Sequence, residues 1–377
     1  MTEAASLGEA IQGRRKAVGL TQADLAAMVG FTVAQTVSDI ERGQREVKAW
    51  ELVRIAQALR TSTDELLGIA AEEPRVKVLW RRGSSAASTK AEEVLLDRAR
   101  RYALLEKWNE LPPPQPLPEF AIDPEQTSYR DAANMAITVG RAMNLGSRPA
   151  ASLASVLQEV FRVKLFFDDL GDDESAASTR GDFGLAILMN RKQAPWRQNY
   201  NLAHELFHLV TWESTQRHWG AEEGEPVWLE KVERLANAFA SHLLLPAEEV
   251  EAQYAARFPD GQIAYPDLVE MAREFDVSTE ALIWRLRLLD KLSQAQAERI
   301  LADPDFRRED RRSMPHHWGG MPEGPLPRRY WRLALNAYHR GSASLGRIAQ
   351  MLESSVSEIG NLVTEESHEP EAAASPA

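Results

Sequence analysis

The chain has 377 residues, 44% of them hydrophobic and 27% charged, which at roughly 100–200 residues per domain predicts about two or three domains, each able to bury a core. Its 44 Lys and Arg stand against 56 Asp and Glu, a formal net charge of −12, so bulk charge excludes a general polyanion binder and any nucleic-acid contact must come from a local surface. Cysteine is absent, which excludes disulfides, thiolate catalysis and cysteine zinc sites and favours a reducing cytoplasm.

Residues 1–70 read as several short helices, because Leu7, Ile11 and Val18, then Leu25, Ala26 and Met28, then Leu52, Ile55, Ala56 and Leu59 recur at helical spacing. Thr21 is a capping residue with Asp24 three positions on and Gly30 at the stop, the marks of one short helix. A second follows over 33–42 and ends at Gly43. Two short helices joined by a tight turn, the second headed by small and polar residues, can set side chains on base edges in a major groove.

Arg14, Arg15, Lys16, Leu20, Thr21, Gln22, Leu25, Ala26, Gly30, Val37, Ser38, Ile40, Glu41, Arg42, Gly43, Leu52, Ile55, Ala56 and Leu59 together resemble the XRE-type helix-turn-helix family of the lambda and 434 repressors and Cro. The resemblance implies a lambda-repressor-like bundle that binds a double-stranded DNA operator, usually as a homodimer. It places Gln22 against a phosphate at the head of the supporting helix, and Gln35, Thr36 and Ser38 at the head of the recognition helix, where an amide such as Gln35 can pair bidentately with adenine. The interval from Gly30 to Ser38 is one residue longer than usual, and Val47 stands where a proline is customary. Residues 1–70 hold 8 basic and 9 acidic side chains, poor for phosphate attraction, whereas 75–110 hold 9 basic and 5 acidic and offer further contacts. A helical packing or dimerisation module that does not bind DNA is the alternative.

Residues 71–124 read as a basic helix, with Val94, Leu95, Tyr102 and Leu105 on its apolar face, followed by a proline run from Leu111 to Pro118 that forms an extended, semi-rigid linker. Over 125–292 the chain is mixed: helices near 129–143 and 151–161, strand-like segments at 163–167 and 184–189, and then mostly helix. No uninterrupted apolar run reaches the roughly 18–20 residues that span a bilayer, and the N-terminus has no apolar signal core, so neither a membrane nor secretion is expected.

His204 and His208 enclose Glu205, Leu206 and Phe207. Histidines four apart share one helix face, so both imidazoles reach one metal and Glu205 falls beside any water held there. A catalytic zinc needs a third protein ligand. Downstream, Glu233 and Asn237 are again four apart on a helix that stops before Pro246, so Glu233 can ligate while Asn237 orients a ligand imidazole. A satisfied pair of core histidines, a metal-binding sensor without proteolysis and a working hydrolase all stay open. His242, nine residues past Glu233, lies half a turn off that face. His218, His316, His317 and His339 have no partner spacing, and Trp196, Trp212, Trp219 and Trp228 read as core or cleft wall.

Arg197, Tyr200, Leu202, Ala203, His204, Glu205, Leu206 and His208, with Glu233, Ala236, Asn237, Phe239, Ala240, Leu243, Leu244, Leu245 and Pro246, resemble the ImmA/IrrE family of zinc-dependent, gluzincin-like peptidases. That resemblance implies Zn2+ on His204, His208 and Glu233, Glu205 as the catalytic base, Asn237 behind a ligand, and a protein substrate such as a repressor or antitoxin. Phe207 stands where the family has glycine, so it either packs under the helix or narrows the cleft. A helix, a turn at 276–278 and a second, largely apolar helix over 267–286 look like the family's terminal helices, packed onto the peptidase.

Residues 293–363 read as a helical C-terminal region with a Pro/Gly/Arg-rich loop at 303–327, and 364–377 as a disordered tail. The expected fold class is therefore mainly α with a small α+β part. Its order is a helix-turn-helix bundle, a linker, a zinc peptidase domain and a helical extension.

Overall fold

Hydroxyl caps set where many of the helices begin. Thr21, Ser128, Ser278, Ser293 and Ser344 each accept a hydrogen bond from the backbone N–H three residues on, which satisfies a donor that a helix start otherwise leaves unpaired. The computed structural model describes residues 3–59, 61, 63–67, 78–80, 86–172, 174–219, 227–313 and 324–366. They divide into two compact units, Met1–Val76 and Lys77–Ala377.

The first unit holds α1 (Glu3–Ala17), α2 (Gln22–Val29), α3 (Gln35–Glu41), α4 (Ala49–Ala58) and α5 (Thr63–Leu67). Ile11, Leu25, Val29, Val37, Ile40, Ile55 and Leu59 form its core. Gly30, at φ +86, ends α2 in the left-handed conformation that glycine adopts without strain. Inside the unit the Arg15 guanidinium grips Glu41 at 2.6 and 3.1 Å, and Gln22 donates to the same carboxylate at 2.8 Å. Burial pushes the Glu41 carboxyl up, but those hydrogen bonds outweigh it and hold Glu41 below the ordinary carboxylate range. The pair ties α1 to α3, the helix whose orientation matters most in a helix-turn-helix.

The second unit begins with β1 (Val78–Trp80), α6 (Ala86–Trp108), α7 (Tyr129–Ala142), α8 (Pro149–Glu159), β2 (Lys164–Asp168), β3 (Ala176–Gly181) and β4 (Gly184–Asn190). It continues with α9 (Pro195–Val210), α10 (Trp212–Trp219), α11 (Val227–Leu244), α12 (Ala247–Arg257), α13 (Tyr265–Glu274), α14 (Thr279–Leu288), α15 (Gln294–Ala302) and α16 (Pro304–Ser313). After residue 323 come α17 (Arg328–His339), α18 (Leu345–Met351) and α19 (Val356–Glu366). The strand order is β1-β3-β4-β2, with β2 and β4 parallel and the other neighbours antiparallel. Gly181 pairs with Gly184 across a two-residue turn, and Gly184 sits at φ +95. The helix α11 packs between α9 and α7 through the buried side chains Leu202, Leu206, Phe207, Leu235, Phe239 and Val139. The molecule is thus mainly helical with one small sheet, as the patterning predicts, although β1 and β3 were not anticipated.

Two differences from the expected organisation have physical causes. The segment expected as linker, 71–124, is in its described part built into the second unit: Leu95, Ala99, Tyr102 and Leu105 of α6 are fully buried. Arg98 binds Asp168 at 2.9 Å and Glu353 at 2.8 Å, so its charge serves an internal network rather than DNA. The proline run is extended, but it is pinned, with the Gln115 N–H on the Val160 carbonyl and the Phe120 N–H on that of Val210. The loop expected over 303–327 begins instead as α16, where Pro304 takes the first helical position and Asp303 accepts from the Asp305 N–H at 2.8 Å. Buried Phe306 anchors that helix while its arginines face outward.

The C-terminal helices close on α6 and the sheet. Arg329 donates to Tyr102 at 3.1 Å and Glu106 at 2.8 Å, Lys164 pairs with Glu106 at 3.0 Å, and Tyr102, Phe166 and Tyr330 meet edge to face. Helices α18 and α19 pack on each other across a short turn in which Glu353 sits at φ +55. Arg75, Lys77, Arg81 and Arg82 of the basic stretch 75–110, the loop at 314–323 and the tail beyond 366 lie outside the described residues. Among the described residues no helix is long and apolar enough to cross a membrane.

Close approach in the first unit is tested at Gly8. A Cβ there would lie 2.5 Å from the Ile40 carbonyl oxygen and 2.7 Å from that of Glu41. Gly8→Ala therefore pushes α1 off α3 and costs about 1–3 kcal/mol, read as a lowered denaturation midpoint of residues 1–76, with Gly13→Ala, which meets nothing within 4 Å, as the harmless control.

Candidate metal centre and recognition helix

Helix α9 starts after Ala194 with proline at its first position, where no backbone N–H is needed. From Asn201 to Val210 every residue is buried, so its polar side chains there must find partners inside the protein. His204 and His208 lie one turn apart on one face, and α11 passes alongside with Glu233 and Asn237 one turn apart.

The four side chains meet. His204 Nε2 is 3.1 Å from Glu233 Oε2, His208 Nε2 is 3.2 Å from Glu233 Oε1, and the two Nε2 atoms are 3.2 Å apart. His204, His208 and Glu233 form a group whose donor atoms all lie within 4.8 Å of one another. Asn237 Oδ1 lies 3.1 Å from His204 Nδ1. An amide oxygen can only accept, so the His204 proton sits on Nδ1 and the Nε2 lone pair faces Glu233 and His208. Tyr200, one turn before His204, donates its hydroxyl to Asn237 at 3.2 Å. Burial by itself would raise the Glu233 carboxyl, but when His208 and His204 are protonated at both nitrogens their charges and hydrogen bonds reverse the effect and hold it well below the usual carboxylate range.

This donor set fits a metal ion. Ligands about 2.0–2.1 Å from a tetrahedral zinc are separated by about 3.3 Å, close to the spacings found here, and two imidazoles with one carboxylate suit a divalent transition metal. Glu205 is fully buried beside His204 on α9. Phe207 resolves the choice left by its position: it packs beneath the helix, fully buried, with its ring 5.5 Å from that of Phe239.

Sequence reasoning found the cluster but missed the hydroxyl of Tyr200 as the second partner of Asn237. Its signal was the spacing of Tyr200 and His204 on one helix face. His242 is half-buried with Nδ1 on the Ala238 carbonyl at 2.8 Å; burial, with the Arg285 charge behind it, pushes its pKa down. It lines a separate cavity of about 320 Å³. Trp212 is core, Trp228 packs against it, and Trp196 lines a cavity beside the cluster. The side chains of His218 and Trp219, and all of His316 and His317, lie outside the described residues.

In the first unit Gln35 is exposed at the head of α3, with Thr36 and Ser38 half-buried beside it. The Gln35 amide donates to Asp39 at 2.8 Å, and Arg42 binds the same carboxylate at 2.8 Å. Gln22 is half-buried, and its amide is spent in part on Glu41.

Each unit contains a stretch that matches a known family. The profile of the IrrE N-terminal-like domain matches residues 158–287 and that of the helix-turn-helix family matches residues 11–66. The chain joins a helix-turn-helix domain to an IrrE-like peptidase-family domain. The matched spans contain, respectively, the cluster with Glu205 and Asn237, and α2 with α3. The radiation response metalloprotease IrrE of Deinococcus deserti is 30% identical over 140 residues, 37% of this chain and 47% of that protein. The chain thus matches about half the length of this curated relative. Among solved structures, the apo form of the competence regulator ComR from Streptococcus vestibularis is similar over 97% of this chain and 98% of that one, at 11% identity and a TM-score of 0.17. Apo ComR from S. thermophilus is similar over 82% and 96%, at 11% and 0.17. At such scores the overall shapes do not superpose.

Two outcomes are expected. Asn237→Ala frees the His204 ring and weakens metal affinity about 10–100-fold, measured by competition with a chromophoric chelator; unchanged affinity contradicts the orienting role. Gln35→Ala loosens discrimination at one base position by about 1–3 kcal/mol, measured by equilibrium binding to an operator selected from random DNA.

Proposed function

We propose that this protein is a DNA-binding transcriptional regulator whose IrrE-like domain is a zinc-dependent endopeptidase that cleaves a protein partner, such as a repressor or antitoxin, in a stress or mobile-element response. The observation that carries the reading is the convergence of His204, His208 and Glu233 on one point, with Glu205 next to the first ligand on the same helix. The protein acts in the cytoplasm and grips its operator as a homodimer through Gln22, Gln35, Thr36 and Ser38, two copies spanning half-sites about 34 Å apart.

When bound, zinc would act as a Lewis acid on the scissile carbonyl and acidify the attacking water. The remaining work falls to the chain. His204, His208 and Glu233 hold the ion, while Asn237 and Tyr200 keep the His204 ring turned towards it. The Glu205 carboxylate accepts the proton from the attacking water and passes it to the nitrogen of the leaving amine.

One observation favours a second reading, that of a metal or ligand sensor without proteolysis: Glu205 has no exposed surface, whereas a working base must reach substrate water. Incubating the zinc-loaded protein and its Glu205→Gln variant with the proteins encoded beside it separates the two. The hydrolase reading expects specific cleavage that falls at least about 10²-fold in the variant while zinc content is unchanged. Intact operator binding with no cleavage by either protein establishes the sensor, and full turnover by the variant removes Glu205 from the mechanism.

A further inference from the structure

Helix α11 carries a titratable side chain that the metal centre does not use. His242 comes nine residues after Glu233, which on a helix is about 13 Å along the axis and half a turn round it. It is therefore turned away from the cluster. It lines a cavity of about 320 Å³ enclosed by α7, the first residue of α8, the end of α11 and the start of α12. That volume lies at the small end of natural ligand pockets, about 300–1,000 Å³.

Part of the lining is hydrocarbon. Ala136, Pro149 and Leu243 are buried in its walls, and Ile137 of α7 leaves an aliphatic side chain 46% exposed beside them. Gly140 of α7 adds no side chain, and a Cβ there would meet only Leu243, at an ordinary 3.5 Å. The polar part is rich in acceptors. His242 Nδ1 lies 2.8 Å from the Ala238 carbonyl oxygen, which can only accept, so the proton sits on Nδ1 and Nε2 keeps its lone pair. Burial and the Arg285 charge favour that neutral ring. Among the described residues Nε2 has no hydrogen-bond partner. Glu248 and Glu249 line the same space against the single cation Arg141, and among the described residues none of the three is in an ion pair. The positive end of α12 does not reverse this balance, because Glu248 and Glu249 occupy its own first turn.

The cavity thus sets one ring nitrogen and two carboxylates against one guanidinium, beside an apolar wall. An ammonium group brings three donors and no acceptor, whereas an anion gains Arg141 alone and meets both carboxylates. We propose that this cavity binds a small organic amine, with its ammonium on His242 Nε2 and the Glu248 and Glu249 carboxylates and its hydrocarbon body against Ala136, Ile137 and Leu243. Such an occupant touches α11 on the side opposite Glu233, so it bears on that helix without competing for the metal ligands.

Calorimetric titration of the full-length protein with three probes of similar shape tests the site: 2-phenylethylamine, 2-phenylethanol and 3-phenylpropionate. The amine is expected to bind about tenfold or more tightly than the alcohol, and the acid most weakly, since hydrogen bonds to charged groups are the stronger ones. His242→Phe, which keeps a ring and loses the acceptor, is expected to weaken the amine about tenfold, and Glu248→Gln with Glu249→Gln to bring amine and alcohol within about twofold. Should the His242 variant not fold, Gly140→Met, which fills the cavity from the face of α7, is expected to abolish binding of all three. No detectable binding of the amine, binding of the alcohol or the acid as tight as that of the amine, or amine binding that survives both the His242 and the Gly140 changes overturns the site.

Discussion

The arrangement depends on two helices lying side by side so that two one-turn pairs of polar residues face each other. His204 and His208 on α9 and Glu233 on α11 bring two imidazole nitrogens and two carboxylate oxygens within hydrogen-bonding distance, the histidines buried and Glu233 half-buried, with Asn237 behind His204. Such groups are costly to bury unless a proton or metal lies among them. The surrounding apolar packing, in which Leu206 and Phe207 of α9 meet Leu235 and Phe239 of α11, holds the polar atoms together. Stability and site are thus two faces of the same contact: the apolar sides of these helices fix the distance that their polar sides need.

The same logic runs outward. Asn237 accepts from His204 and from Tyr200, and Tyr200 in turn walls the cavity that Trp196 lines. A change in that cavity therefore reaches the His204 ring through two hydrogen bonds. In the helix-turn-helix domain a buried ion pair has the corresponding role: Arg15 and Glu41 join α1 to α3, while Gln22 connects α2 to the same carboxylate. The side chains at the head of α3 are thereby presented on a rigid frame rather than on a mobile helix.

Legibility in the sequence followed the range of the interactions. The cap at Thr21, the stop at Gly30, and the paired spacings of His204 with His208 and Glu233 with Asn237 are local, and each was readable because helical geometry turns a spacing into a direction. Strand β3 was not, because Ala176, Ala177, Ser178 and Thr179 lack the large β-branched pattern; they form a strand because β1 and β4 pair with them on either side. Arg98 read as one of several basic residues near a DNA-binding head, yet its partner Glu353 lies 255 positions away. Pro304 read as a loop former, and the helix it opens is held by Phe306 in the core. Trp196 of α9 and Trp284 of α14 line one cavity, which no periodicity within either helix encodes. The parts that escaped sequence reading are those set by contacts between distant segments.

Two imidazoles and one carboxylate, drawn from α9 and α11, are proposed to hold a single metal ion. X-ray absorption at the zinc edge on the full-length protein, loaded with one equivalent and freed of excess, tests it most directly. The expected result is a four-coordinate zinc with two imidazole nitrogens and oxygen donors at about 2.0–2.1 Å, with the imidazole scattering reduced by about half in His208→Ala. A protein that retains no zinc, or one whose imidazole signal is unchanged in that variant, would contradict it.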